Sequence, residues 1–317
     1  MTIVTKTSLP PMIEADIMRK LLSTPEAYRI HSMLAPKFTI PQNSGDILRR
    51  RRYNRLETTP VPVDPLMMNP PAQLQTAVDI DVQTRFYSTY VPISFQTNII
   101  NQEDVRNGIT ARLAQALAET EDQLVRDMLE STASVLNCTG GTNGDNPTNL
   151  VRSDINGVIQ TLQNNNAEFI YALQGGVDKF ATAPLRDSYA MLSHSNMIGQ
   201  FETVAGVINK AQYPNPNASN SAAEWCSIGN VRCFISSRGS ITANASLLGA
   251  DVYNNFVIAQ ESYSCVSLEG SDLKLIYNPP GSGDDPAHLR YSLGYRFTFG
   301  SVIDNDQWLI NLRATLA

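Results

Sequence analysis

The sequence predicts an α+β fold organised around one long helix, and three observations carry that prediction. An extended, proline-broken arm runs from Gly45 to Pro92, a single amphipathic helix starts near Asn101, and short strands and helices alternate from Ala167 onward. The arm alternates polar and apolar residues and is punctuated by Pro60, Pro62, Pro65, Pro70 and Pro71, so it buries no core of its own. A projecting strand pair is stable only when it lies on another surface, and the nearest such surface is a second copy of the same chain.

Composition bounds the rest. At 317 residues the chain is long enough for two domains or one elaborated domain. Charged residues make up 17%, below the roughly 25% usual for soluble domains, which points to large polar but uncharged interfaces. The net charge of −6 and a pI near 5.1 argue against a dedicated nucleic-acid binder. No apolar run approaches the roughly 20 residues needed to span a bilayer, and Met1 to Pro11 lacks the pattern of a signal peptide, so a cytosolic chain with no membrane partner is expected. Cys138, Cys226, Cys233 and Cys265 show no C-x-x-C spacing, and the only histidines are His31, His194 and His288. Close-spaced ligand pairs for a metal are therefore missing, and the cysteines read as buried reduced thiols.

Along the chain, Ile13, Ile17, Leu21 and Leu22 mark a first helix and Pro25 to Leu34 a second, with Pro36 to Gly45 as a linker. From Lys37 to Leu56 six basic residues face one acidic residue, and Arg49, Arg50, Arg51 and Arg52 are consecutive, followed by Arg55. In a strand, four consecutive arginines place two on each face. They suit either nucleic-acid phosphates or carboxylates on a neighbouring subunit; with Tyr53 the only aromatic nearby, no base-stacking platform accompanies them, which favours intersubunit pairing. Thr76 to Phe95 alternates Val78, Ile80 and Val82 with Asp79, Asp81 and Gln83, and pairs with Ile47 to Leu56 as a long hairpin.

The helix is predicted from Gln102 to about Ser134, roughly 50 Å at 1.5 Å per residue. Asn101 and Asp104 resemble a capping box, and Glu103 adds acid to the first turn. Val105, Ile109, Leu113, Leu117, Leu124 and Met128 form its stripe, widened by Val125 and Leu129. That stripe is too short and broad for a heptad zipper, which leaves a structural spine. Asn137 to Asn149 reads as a loop without the lysine of a phosphate-binding pattern. Asp154 to Leu162 reads as a short helix capped by Ser153, Ala190 to Leu192 as a strand and Asn196 to Val207 as a helix. Tyr213 to Ala222 reads as a loop, Cys226 to Ser236 as two strands around Gly229-Asn230, and Phe256 to Ile258 and Leu273 to Tyr277 as strands. Asp284 and Asp285 sit in a turn-rich tip and read as a solvated turn, not a metal or acid–base pair. Leu289 to Thr298 and Gln307 to Ala317 close the chain as strands, the last expected to return to an early part of the fold. No catalytic, cofactor-binding or metal-ligating set stands out.

The order of these elements resembles a known family. Ile40-Pro41-Gln42-Asn43-Ser44-Gly45 before the basic strand, Tyr90-Val91-Pro92-Ile93-Ser94 before the long helix and Leu124-Val125-Arg126-Asp127 within it are similar to major capsid proteins of tailed phages with the Hong-Kong-97 fold, most closely the N4-like branch. So are Ile228-Gly229 with Val231-Arg232, and Leu293-Gly294-Tyr295-Arg296-Phe297. The resemblance implies an N-terminal arm (1–45), an extended loop (46–92), a peripheral domain with the spine helix (93–179 and 291–317, helix about 102–134) and an axial domain (180–290). It implies self-assembly as pentamers and hexamers into an icosahedral head shell, with a portal protein at one vertex and non-specific contact with packaged double-stranded DNA. Under it, Arg49, Arg50, Arg51, Arg52 and Arg55, with Asp79 and Asp81, are the candidate intersubunit residues, and Glu119, Glu121 and Asp122 of the spine are further possible partners. The sequence departs from covalently crosslinked members, which use an extended-loop lysine: Asp46 to Pro92 contains none. With the long helix beginning near residue 101, no room is expected for an N-terminal scaffolding segment, so a separate scaffolding protein or a decoration protein is expected instead.

Competing readings come from other classes. An encapsulin-like shell would enclose an enzyme cargo, and a nucleic-acid-binding module would use the Arg49–Arg55 strand with steep salt dependence. An enzyme is the weakest rival, and a jelly-roll capsid should lack so long a central helix.

Overall fold

A computed structural model describes residues 29–56, 58, 72–100, 105–140, 146–170, 187–212, 223–271, 274–281 and 287–316. In chain order the strands are β1 (Lys37–Ile40), β2 (Ile47–Tyr53), β3 (Ala77–Gln83), β4 (Arg85–Ser94), β5 (Val135–Asn137), β6 (Tyr189–His194), β7 (Val207–Asn209) and β8 (Glu224–Ile228). They continue as β9 (Val231–Ser236), β10 (Ile241–Thr242), β11 (Val252–Ile258), β12 (Tyr263–Leu268), β13 (Lys274–Asn278), β14 (Arg290–Ile303) and β15 (Leu309–Thr315). The helices are α1 (Phe95–Ile100), α2 (Val105–Glu130), α3 (Arg152–Asn164) and α4 (Ile198–Thr203).

The described residues form three sheets. An eight-stranded sheet runs β5-β15-β11-β6-β9-β8-β7, with β10 also on β11. Both of its faces are covered, which explains why β6 and β11 are almost continuously buried instead of alternating. Tyr189 and Met191 of β6 point into one core with Val158 and Leu162 of α3 and Phe201 of α4. Ala190 and Leu192 point the other way, into a core shared with α2 and β14. The second sheet orders β1-β12-β14-β13, and the long β14 also carries β4. The third is the β2–β3 hairpin.

The long helix is present as α2, 26 residues or about 39 Å. Its predicted stripe faces inward: Leu113, Val125 and Leu129 are buried, and Ile109, Leu117, Leu124 and Met128 pack against the same core. Burying a side chain such as Leu129 contributes about 1.5–3 kcal/mol. The helix stops at Glu130, before the expected Ser134, because Ser131 and Thr132 turn back to the carbonyls of Met128 and Leu129. Asn101, Glu103 and Asp104, the helix from Ile13 to Leu22, the loop from Tyr213 to Ala222 and the Asp284–Asp285 pair lie outside the described residues.

Several local expectations are corrected. The single strand expected from Thr76 to Phe95 is two strands broken at Thr84, whose backbone N–H and hydroxyl both donate to the carbonyl of Asp46 (2.9 and 3.1 Å). After that break β4 leaves the hairpin and pairs along its whole length with β14, from Arg85–Phe299 to Ser94–Arg290. Pro92 is tolerated there because, among the described strands, β4 has a partner on one side only. Residues 31–35 form turns, not the end of a helix, because the N–H groups of His31 and Ser32 donate to the Asp122 carboxylate instead of to preceding carbonyls. The expected linker after Pro36 contains β1, held parallel to β12 from Lys37–Cys265 to Ile40–Leu268. The cap of α3 is Val151, whose N–H donates to Asp154 at 3.2 Å, so Ser153 lies inside the helix. The expected helix from Asn196 to Val207 ends at Thr203, and the chain re-enters the sheet as β7. The C-terminal strand β15 does return: it lies between β11 and β5, the strand that follows the spine.

Candidate intersubunit interface

The β2–β3 hairpin sorts its arginines by register. Arg49 stands opposite Asp81 and Arg51 opposite Asp79, while Arg50 and Arg52 face Ile80 and Val78. On the exposed face Arg49 Nε and Nη2 donate to Asp81 at 2.7 and 2.8 Å, and Arg51 Nε and Nη2 donate to Asp79 at 2.7 and 3.0 Å. These are two parallel bidentate forks, the geometry in which guanidinium and carboxylate match best. The hydrogen bonds raise both arginine pKa values above their ordinary range and hold both aspartates below theirs. Solvent screening keeps their contribution to stability small. Their effect is to fix register and to present an ordered four-charge patch of zero net charge.

The inner face ties the hairpin to the body. Arg50 Nη1 donates to both carboxylate oxygens of Asp304 and to Ser264 Oγ, each at 2.9 Å, and its guanidinium lies 4.2 Å from the centre of the Phe38 ring. Arg52 Nη1 donates to the Asp304 carbonyl at 3.0 Å. Val82 joins Ile40 and Val266 in a small third core, flanked by Leu48, Leu268 and Val302. The root of the hairpin is thus anchored by one apolar cluster and one ion-pair cluster. Between the hairpin and the 304–308 turn lies an open cleft of about 630 Å³ whose charged lining is Arg50, Arg51, Arg52 and Arg55 against Glu261 and Asp304.

All seven residues singled out by sequence lie on this hairpin or just beyond it, and four of them form the two forks with each other. Arg55 lines the cleft and has no partner among the described residues. The spine acids do not meet the arginine strand. Glu119 binds Arg238, Glu121 binds Lys37 at 3.1 Å, and Asp122 is buried against His31. Sequence reasoning missed Asp304, which lies 254 residues from Arg50 and carries no local motif.

No protein-family model matches the sequence, and no curated protein matches it either. Solved structures do. The capsid of Ralstonia phage GP4 superposes with a TM-score of 0.67 at 12% identity, covering 100% of this chain and 98% of that one. The head structure of Helicobacter pylori bacteriophage KHP40 gives 0.66 at 11%, covering 100% and 98%. The chain has the Hong-Kong-97 capsid fold. The capsid of cyanophage P-SCSP1u agrees, with a TM-score of 0.64 at 14% identity over 100% and 96% of the two chains. The long helix packs against β14, and the arginine hairpin docks through the third core on the sheet's β1–β12 side.

Proposed function

We propose that this chain is a major capsid protein: it assembles as pentamers and hexamers into the icosahedral head shell that encloses a tailed phage's genome. The observation that carries the reading is the match in length. This chain and the capsid chains it resembles cover each other almost end to end, so the likeness is to the whole subunit and not to a borrowed module. A structural role without turnover accords with it. The pairing of Arg49, Arg50 and Arg51 with carboxylates weighs against a free cationic strip built for nucleic acid.

Within this reading we assign 1–45 as the arm, 46–92 as the extended loop, 93–179 and 291–317 as the peripheral domain and 180–290 as the axial domain. Strand pairing supports several refinements: β4, β12 and β13 travel with the peripheral sheet through β14, and β5 and β15 with the axial one. Membership of the N4-like branch is part of the proposal. The exposed forks of Arg49, Arg51, Asp79 and Asp81, with Arg50, Arg52 and Arg55 along the cleft, are the surface we assign to a neighbouring subunit. A scaffolding protein during assembly, a decoration protein, a portal at one vertex and non-specific contact with double-stranded DNA complete the set of partners. Assembly takes place in the host cytoplasm. Negative-stain electron microscopy with light scattering of the purified chain tests the proposal: closed shells, rings or tubes are expected. A chain that stays monomeric at high concentration, with and without the scaffolding protein of its own phage, would overturn it.

A further inference from the structure

Two of the four cysteines stand directly across a strand pair. β8 and β9 form an antiparallel hairpin closed by Gly229 and Asn230, with Gly229 at φ 61° in the left-handed region that glycine takes without strain. Cys226 of β8 is the register partner of Cys233 of β9. Directly opposed residues in such a pair have Cα atoms about 4.5–5.5 Å apart, inside the roughly 4.4–6.8 Å that a disulfide spans. Both side chains are sealed in the same core, Cys226 at 1% and Cys233 at 0% exposure, and both are free thiols. Cys138 lies in the loop after β5 and Cys265 in β12, and neither is the register partner of another cysteine among the described strands.

We propose that Cys226 and Cys233 are a latent disulfide: a dithiol when the chain folds in a reducing compartment, and an intrachain cross-strand staple after exposure to peroxide. The chemistry is closed. One thiol gives up its proton, and its thiolate attacks a peroxide oxygen and breaks the O–O bond. This leaves a sulfenic acid and a hydroxide that takes that proton to become water. The second thiol's sulfur attacks the sulfenyl sulfur, forms the S–S bond and expels the sulfenic hydroxyl with its own proton as a second water. Two thiols are oxidised and one hydrogen peroxide is reduced to two waters. Burial, then the neighbouring Cys226 thiol and the charge of Glu224, push the Cys233 pKa up. The closed hairpin therefore holds little thiolate and keeps the pair reduced. Oxidation waits on opening of the neighbouring strands, β7 beside Cys226 at Asn209 and β6 beside Cys233 at Met191. Under the shell reading, on which this step alone rests, the staple closes after release from the reducing host interior and locks the β8–β9 hairpin in the finished shell.

The full-length chain, assembled or not, is treated with hydrogen peroxide, denatured in an alkylating agent and digested with trypsin. Cleavage after Arg232 separates the two cysteines, so a staple joins the 211–232 and 233–238 peptides into one species lighter by two hydrogens than their sum. The expected result is that species, with Cys138 and Cys265 alkylated, together with a rise in melting temperature over the reduced chain that Cys226→Ala abolishes. Four alkylated cysteines, under oxidation that crosslinks the same chain once unfolded, would overturn the proposal. So would links through Cys138 or Cys265. The mass readout on the native chain needs no variant and does not depend on assembly, so its failure is distinct from failure of the capsid reading.

Discussion

His31 and Asp122 form a buried pair: the ring Nδ1 lies 2.7 Å from Asp122 Oδ2, while Asp122 Oδ1 accepts the backbone N–H groups of both His31 and Ser32 at 2.9 Å. The histidine is fully buried, and its carbonyl accepts a hydrogen bond from the Tyr263 hydroxyl at 2.6 Å. One carboxylate thus fastens the segment before β1 to the spine helix and, through Tyr263, to β12. Replacing Asp122 by alanine strands three donors at once. Leaving buried donors without their acceptor costs about 1–3 kcal/mol or more. Denaturant unfolding of Asp122→Ala is expected to lose that much. A loss below about 0.5 kcal/mol, within the range of an ordinary surface change, would show that the clamp is not structural.

The same pair sets an acid limit. Burial pushes the Asp122 pKa up, but the His31 ring and the two backbone N–H groups outweigh it and hold the carboxyl below its ordinary 3.8. A folded-state pKa below the unfolded one stabilises the native chain at pH values above the unfolded value, and the stabilisation is lost as pH falls through the folded one. Stability of the wild type is expected to fall steeply on acidification below pH 3.8. The slope should be shallower in Asp122→Asn, which keeps an acceptor but no longer titrates. Parallel acid limbs for the two proteins would remove Asp122 from this role.

Gly294 sits in the middle of β14 with Tyr90 of β4 on one side and Ile276 of β13 on the other. A Cβ there would lie 2.7 Å from the Thr89 carbonyl oxygen and 2.9 Å from the Tyr90 Cβ, closer than real Cβ atoms come to other heavy atoms. Gly294→Val should therefore force β4 and β14 apart, at about 1–3 kcal/mol for overpacking. Gly108 of α2, with open space at its Cβ, is the control: Gly108→Ala should stabilise by up to about 1 kcal/mol. Thermal unfolding of the two variants reads both signs, and equal effects would contradict the packing described.

What could be read from the sequence was what is local. The α2 stripe shows in the repeat of Ile109, Leu113, Leu117 and Leu124, and the β8–β9 hairpin shows in Gly229-Asn230 between two apolar runs. The Arg–Asp forks follow from register once the hairpin is placed, because Asp79 and Asp81 alternate in step with Arg51 and Arg49. Long-range pairing left no local trace. β1 looks like a linker because its partner β12 lies 228 residues on, as Thr39 and Ser267 show. β4 looked like the end of β3 because nothing near Thr84 announces that the next ten residues pair with β14. The acids of α2 look available to the arginine strand until folding brings His31, Lys37 and Arg238 to them.

Under the capsid reading proposed above, with 46–92 as the extended loop, covalent crosslinking through a lysine of that loop has no donor, since Asp46 to Pro92 contains no lysine. Purified shells boiled in reducing detergent are expected to run as a single band at the 34.9 kDa of the chain. A ladder of multimers surviving that treatment would require a bond from another residue and would refute the expectation.

The arginine hairpin carries two kinds of ion pair that should separate by measurement. Arg50 and Asp304 are largely withdrawn from solvent, their side chains 32% and 10% exposed, and three polar contacts and the Phe38 ring converge on the guanidinium. A double-mutant cycle with Arg50→Ala and Asp304→Ala is expected to give a coupling of about 0.5–3 kcal/mol, as for residues sharing one network. The cycle with Arg49→Ala and Asp81→Ala should give a much smaller coupling in the isolated chain, because both groups stay in water and salt screens them. In assembled shells the ranking can change: if a neighbouring subunit covers the outer face, the Arg49 variants should weaken shells against salt or heat while leaving the monomer's unfolding almost untouched. Equal effects on monomer and shell would mean that the outer forks serve the hairpin alone, and the subunit contact would then have to be sought along the cleft beside Arg52 and Arg55.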